Sequence, residues 1–264
     1  MDFTQFARMD FAQLTEVIFW TILFNLLEYF PQALPGTTHN FVFVWIVNSY
    51  PQFVNSIAIA SFAILMAKIR RRFEVINQVI PTMKIFQKSS SSNLEADMNN
   101  VFRLRLINKS HEKLVNAATN LSEAYGIVIL TSFTVYFVAS CFYLRSISLT
   151  LGNSKNSIDT AVDALWLVFY LGKYVYVINS CHSVTLQAKL AGRLLREKWT
   201  DVDHHPLKQE TDLLVRQIEA RNLQLTANNF FVIDYAALKM IIVGLTAYLI
   251  VVSRPTGSCD ENPN

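Results

Sequence analysis

Charged residues are scarce in this chain. Asp, Glu, Lys and Arg make up 16% of its 264 residues, against about 25% in an ordinary soluble domain, so a water-facing surface of the usual kind is not available to it. Cysteine is scarce as well: of the three, Cys141 falls in one apolar run, Cys181 at the end of another and Cys259 in the polar tail, which indicates no disulfide framework. Neither sign of charge dominates. The formal net charge is +3 and the basic residues are spread along the chain, so there is no electrostatic footprint for nucleic acid. A Walker loop, GxGxxG, HExxH and CxxC are all missing, and with them the common signatures of nucleotide, zinc and redox chemistry. No enzymatic activity, cofactor or resident metal is therefore expected. His204-His205, preceded by Asp201 and Asp203, reads better as a solvated loop than as a metal site. Cys181 and His182 are neighbours in sequence, and on a helix such neighbours point to different faces, which argues against a nucleophilic dyad. No internal repeat is visible, so an inverted-repeat transporter has no support from symmetry.

What is abundant is apolar surface. The chain is 52% apolar and 12% aromatic, with a positive mean hydropathy of +0.28. Five runs are long and poor in charge, at about 16–33, 41–67, 124–148, 160–183 and 230–253, and about 20 such residues cross a bilayer. The expectation is an all-α, polytopic membrane helix bundle forming one integral membrane domain over residues 1–264. That leaves no room for a separate soluble domain of about 100 to 200 residues. Residues 1–15 hold Arg8 and two acids with no small-residue cleavage site behind them, which predicts a retained first crossing and not a removed signal peptide.

Orientation follows from the basic residues between the runs. The first link has none; the second, 68–123, has ten; the third has two, Arg145 and Lys155; the fourth, 184–229, has seven. The alternation places the second and fourth links and the N-terminus in the cytoplasm, and the C-terminus outside. Both cytoplasmic links carry helical patterning. Leu104, Ile107, His111, Leu114, Ala118, Leu121 and Tyr125 step by three or four residues into the third run, and Leu214, Ile218 and Leu225 lead into the last, so long helices are expected to project from the bilayer and pack together. The serine-rich stretch 87–100 is expected to be a break between the basic stem and the next helix.

Polar groups inside the runs carry the functional information, because an unpaired charge at the centre of a bilayer costs about 2.5 to 3.5 kcal/mol on insertion scales. Lys173 lies mid-run among Tyr170, Tyr174 and Tyr176. It has two readings: contact with a ligand or ions in a watery cavity, or a satisfied contact between helices, with Asp163 as partner if another helix brings it near. Asp234 reads as a helix cap or anchor. The second run contains Asn48, Tyr50, Pro51 and Asn55, and a membrane proline frees a backbone carbonyl that needs a partner. With Asn25, Tyr29, Trp45, Trp166 and Tyr170 on the outer halves of runs, an aromatic and amide-lined cavity facing outside is one reading; an interface belt or plain core is the other.

Several stretches together resemble the insect gustatory receptors, part of the insect chemoreceptor superfamily: WIVNSYPQF, RRFEVINQVI, HEKLVNAATNLSEAYG, CHSVTLQAKLAGRLLREKW and AALKMIIVGLTAYLIVV, in this order over about 45–253. The resemblance implies seven membrane helices, an intracellular N-terminus and an extracellular C-terminus. It further implies a ligand-gated cation channel in the plasma membrane, assembled as a homo- or hetero-tetramer, with each subunit's last helix lining the pore and the cytoplasmic stems joining subunits. The five runs would match family helices three to seven, two fewer than the full set. In the last helix Tyr248 matches the family motif, Ala247 stands where the motif has Thr, and Arg254 and Pro255 stand at its Gln-Phe positions. Arginines at the outer mouth of a cation pore would repel cations. The resemblance places Thr246, Tyr248, Val251 and Arg254 at the pore or gate, Val251 as a constriction.

The resulting expectation is a gustatory receptor that detects a small-molecule tastant, conducts cations and sits among membrane lipids. The ligand cavity is expected to form from Asn25, Tyr29, Trp45, Asn48, Trp166, Tyr170 and Lys173. The alternatives are a G-protein-coupled receptor, a secondary transporter, or a truncated non-conducting subunit.

Overall fold

The structure is a computed structural model that describes residues 38–82, 94–151, 157–199 and 205–252; of residues 38–49, 94–97, 151, 157, 199, 205–208 and 210 it describes the backbone alone. The expected first crossing at 16–33 lies outside the described residues. Four long helices carry the remaining apolar runs: α1 (Thr38–Thr82), α2 (Leu94–Leu151), α3 (Ser157–Trp199) and, at the end, α5 (Tyr235–Val252), with the shorter α4 (His205–Ala220) before it. All four long helices are apolar enough over one stretch to cross a membrane. The architecture is an all-α polytopic membrane bundle.

Length explains the shape of each helix. α2 has 58 residues, about 85 Å at about 1.5 Å per residue, whereas the hydrocarbon core of a bilayer is about 30 Å thick. Only the part around 124–148 is a continuous apolar run; the rest projects as a stem. The predicted stem stripe is the buried one, with Leu104, Ile107, His111, Leu114 and Ala118 all inside. α3 is central, packing against α1, α2, α4 and α5. One apolar core runs through the membrane part, including Phe62, Met66, Ile129, Tyr136, Tyr174 and Ile178. A second, at the stem end, joins Ile80 of α1, Leu104 and Ile107 of α2, Leu195 of α3 and Leu214 and Ile218 of α4. There Lys198 donates to the carbonyl of Ile80 at 3.1 Å and to that of Pro81, closing the orphan carbonyls of α1 with a cation where the helix dipole favours one.

Two expectations need correction. The stretch 87–100 is not wholly a break, since α2 already begins at Leu94. The stem expected to lead through Leu214, Ile218 and Leu225 into the last crossing stops at Ala220, and the last helix starts at Tyr235 and not at 230. Between them lies a short antiparallel hairpin, β1 (Thr226–Ala227) and β2 (Phe231–Val232), with Thr226 opposite Val232. Its turn requires left-handed backbone, supplied by Asn228 at φ 51° and Asn229 at φ 58°; asparagine tolerates this region better than other side-chain-bearing residues. Asp234 then caps α5, its Oδ1 accepting the Ala237 amide at 3.0 Å, as a helix N-cap does.

The hairpin is seated on α2. Ser122 Oγ donates to the Thr226 carbonyl at 2.9 Å and accepts the Thr226 amide at 3.1 Å. One turn on, the backbone of Asn228 lies so close to Gly126 that a Cβ there would come within 2.7 Å of the Asn228 nitrogen. Glycine is required at 126 by this approach, not by an unusual φ. Gly126→Ala should therefore destabilise the protein by about 1 to 3 kcal/mol through overpacking. Gly172→Ala, where a Cβ meets nothing within 4 Å, should be neutral or stabilise by up to about 1 kcal/mol through helix propensity. Thermal melting of the two purified variants in detergent checks the contrast.

Candidate functional site

The polar residues of the membrane part converge where α1, α2 and α3 meet. Asn55 of α1 donates from Nδ2 to Tyr136 Oη of α2 at 2.9 Å and accepts on Oδ1 from Ser132 Oγ at 2.6 Å. Ser132 and Tyr136 are four residues apart and share one face of α2. One residue on in α1, Ser56 Oγ donates to the Gln52 carbonyl at 2.8 Å and accepts from Lys173 Nζ at 3.1 Å. Tyr174 Oη donates to the Phe133 carbonyl at 2.5 Å. In hydrocarbon each unsatisfied polar group would cost several kcal/mol, so these pairings hold the three helices in register.

Lys173 is the residue that the sequence marked most strongly. Its ammonium sits 4.4 Å from the Phe169 ring centroid, 5.2 Å from Tyr136 and 5.8 Å from Tyr170, within the range where ring faces attract a cation. The structure thus gives Lys173 a hydroxyl and three aromatic faces between helices. Asp163 is engaged elsewhere, accepting from Ser146 Oγ at 2.5 Å. The aromatic neighbours continue along α3: Tyr143 stacks on Trp166 at 6.2 Å and on Tyr170 at 5.9 Å, and Tyr136 meets Tyr170 at 5.5 Å. Trp166 is 1% exposed and Tyr170 4%.

Of the expected pocket residues, then, Trp166, Tyr170 and Lys173 are brought into one cluster. Trp45 and Asn48 lie on α1 with only their backbone described, and Asn25 and Tyr29 lie outside the described residues. The cluster includes Asn55, which the sequence reading named among the polar groups of its run, and three residues that it did not single out: Ser56, Ser132 and Tyr136. The recoverable signal was the four-residue spacing of Ser132 and Tyr136, which puts two polar groups on one face of α2.

The last helix is held differently. Among the α5 residues only Ala237 and Leu245 are buried, and 11% of its apolar stretch is inside the protein. Gly244 faces α2, where an added Cβ would meet the Phe137 ring at 3.3 Å. Of the expected pore residues, Thr246 is exposed, with its hydroxyl bonded to the Ile242 carbonyl at 2.8 Å. Val251 is 68% exposed, Tyr248 is half-buried, and Arg254 lies outside the described residues. At about 100° per residue, Thr246 and Tyr248 point about 200° apart, so they occupy opposite sides of α5. An apolar groove of about 480 Å³ separates α5 from α2, lined among others by Leu130, Phe137, Phe230, Phe231 and Met240.

At the end of the run 160–183, Cys181 is buried while His182 turns outward, its ring 4.9 Å from that of Tyr235, so the adjacent pair does point to different faces. Asp201, Asp203 and His204 lie outside the described residues. His111 is outside the apolar run 124–148 and is 1% exposed. Burial lowers its pKa from the usual 6.5, the Ala188 carbonyl bonded to it opposes that change, and Arg221 adds to it.

The polar cluster makes a definite prediction. Tyr136→Phe removes the acceptor of the Asn55 amide and Asn55→Ala removes the donor, so each should lower stability by about 1 to 2 kcal/mol. The double variant should lose less than the sum of the two, because they share one hydrogen bond. A double-mutant cycle of melting temperatures in detergent measures the difference.

Similarity to known proteins agrees with this architecture. No curated protein matches the chain. A family model described as 7tm Chemosensory receptor matches residues 6–252, a span that contains the five described helices and the polar cluster between them. This chain belongs to the 7tm chemosensory receptor family.

Proposed function

We propose that the chain is a gustatory receptor, a subunit of a tastant-gated cation channel of the plasma membrane. The observation that supports this reading best is the state of α5. It is the most hydropathic of the four long helices, yet it is the least buried. A helix that is largely apolar, with Lys239 near its start as its one charge, and packed on one narrow side is suited to meeting lipid and further subunits; four copies arranged with α5 at the centre would enclose a path for ions. The exposed side carrying Thr246 would then face that path, while Gly244 and Tyr248 lie toward the subunit's own α2.

The ten basic residues of 68–123 and the seven of 184–229 support an orientation with the stems in the cytoplasm and the C-terminus outside. In that orientation the cluster around Trp166, Tyr170 and Lys173 stands between the outer surface and the stems. A small tastant with a ring and a hydrogen-bonding group would exchange Lys173's contacts with Ser56 and the aromatic faces for its own. It would favour conduction only to the extent that it binds the conducting arrangement more tightly than the resting one.

Expressed at the surface alone or with other gustatory receptor subunits, the chain should give a ligand-dependent cation current in whole-cell recordings across a tastant panel. Thr246→Cys should make that current sensitive to a charged thiol reagent, and Leu245→Cys, 6% exposed, should not. A surface-expressed receptor with no current for any tastant counts against the reading, and so does equal sensitivity of the two variants.

A further inference from the structure

At the stem end, α3 and the end of α4 enclose a cleft of about 310 Å³. Among the described residues, four cations line it, Lys189, Arg193, Arg196 and Arg221, against one carboxylate, that of Glu219. Lys189, Arg193 and Arg196 follow one another at four and three residues, so they share one face of α3. Like charges one turn apart destabilise a helix, so the arrangement calls for something negative opposite. The described residues supply it only in part. Arg196 pairs with Glu219. Arg221 reaches Glu112 at 3.3 Å and donates to Asn108 Oδ1 at 2.8 Å. Among the described residues, Lys189 and Arg193 have no acidic partner, and both are exposed.

His111 of α2 also lines the cleft. It meets the Ala188 carbonyl through Nε2 at 3.1 Å; a carbonyl only accepts, so Nε2 carries the proton. Nδ1 is left as a buried nitrogen without a hydrogen-bond partner, and in the neutral ring it is an acceptor. A buried polar atom normally finds a partner. The cleft therefore offers several positive donors at its rim and, in His111 Nδ1, a buried acceptor that lacks a donor.

We propose that this cleft binds a ligand bearing clustered phosphoryl groups on a hydroxylated carrier. The volume exceeds what a single small anion would fill, and it matches the lower range of small-molecule sites. Arginine forks fit phosphoryl oxygens with paired, charge-assisted hydrogen bonds, and lysine adds a point charge. A hydroxyl of the carrier is the donor that His111 Nδ1 needs. Leu223, which also lines the cleft, belongs to the segment that runs from α4 to the hairpin and on to α5. An occupant would tie α2, α3 and α4 together at the base of that segment. The proposal is independent of the tastant-channel reading, and it stands or falls by binding alone.

The same phosphoryl chemistry is offered by a soluble inositol phosphate and by a phosphoinositide headgroup, so the test has two arms. The full chain, purified in detergent, is titrated with inositol trisphosphate by calorimetry; in parallel it is placed in phosphatidylcholine nanodiscs with and without a phosphatidylinositol bisphosphate, and its melting temperature is read. Saturable binding in detergent identifies a soluble ligand, and stabilisation confined to the bisphosphate nanodiscs identifies a headgroup. In whichever arm binding occurs, the double variant K189Q/R193Q should weaken it by about tenfold or more. The double variant K109Q/K113Q removes the same charge from exposed positions that do not line the cleft, and it should bind as the unaltered chain does. No saturable binding in either arm overturns the proposal, as does an equal loss in both double variants.

Discussion

Where the hairpin meets α2, a backbone nitrogen comes so close to Gly126 that no other residue fits without displacement. Ser122, one turn earlier, closes both hydrogen-bonding groups of Thr226. Much of the molecule depends on this seat. The chain has left the stem bundle at Ala220 and must begin a new helix that leans on the others along one narrow side. Without a fixed starting point, α5 would have few contacts to define its direction. The hairpin provides that point, buries Ala227 and Ile233 in the main core, and hands over to Asp234, whose carboxylate caps the first turn of α5.

The opposite solution holds the other three long helices. Their membrane parts are joined by polar side chains that find each other across helices, because in a low-dielectric medium an unpaired group is far costlier than in water. Asn55, Ser132 and Tyr136 satisfy one another, and Lys173 finds a hydroxyl and ring faces. Farther down, Asn77 donates to both the carbonyl and the side-chain oxygen of Gln187, and Asn108 donates to Gln217 at 2.6 Å. The fold thus contains a cross-braced bundle of α1, α2 and α3 and a lightly packed α5. An element held by few buried contacts can change position at lower cost than a braced frame.

How much of this could be read in advance depended on distance along the chain. Four of the five membrane runs were legible because absence of charge over about 20 residues is a local signal, and the stem stripe from Leu104 to Ala118 because a helix repeats every three or four residues. The hairpin was missed for an equally local reason: Phe230, Phe231, Val232 and Ile233 are apolar and merge with the helix that follows. Asn228-Asn229 was the overlooked mark, since paired asparagines suit the left-handed backbone of a tight turn. The partners of the polar groups were not legible. Lys173 meets Ser56, 117 residues away, and serine in an apolar run is unremarked until its neighbour is known. Nor could spacing reveal the small-residue seat, because Gly126 is fixed by a backbone about a hundred positions later in the chain.

The central claim is that α5 meets other copies of itself through the side it leaves exposed. Disulfide cross-linking in native membranes addresses it most directly, with the three native cysteines replaced and single cysteines introduced along α5. The account predicts linked subunits for cysteines on the exposed side around Thr246, with a periodicity of three to four residues, and none for cysteines at Ala237 or Leu245, which are buried within the subunit. Cross-linking that is absent at every exposed α5 position, or equal at exposed and buried ones, would contradict it.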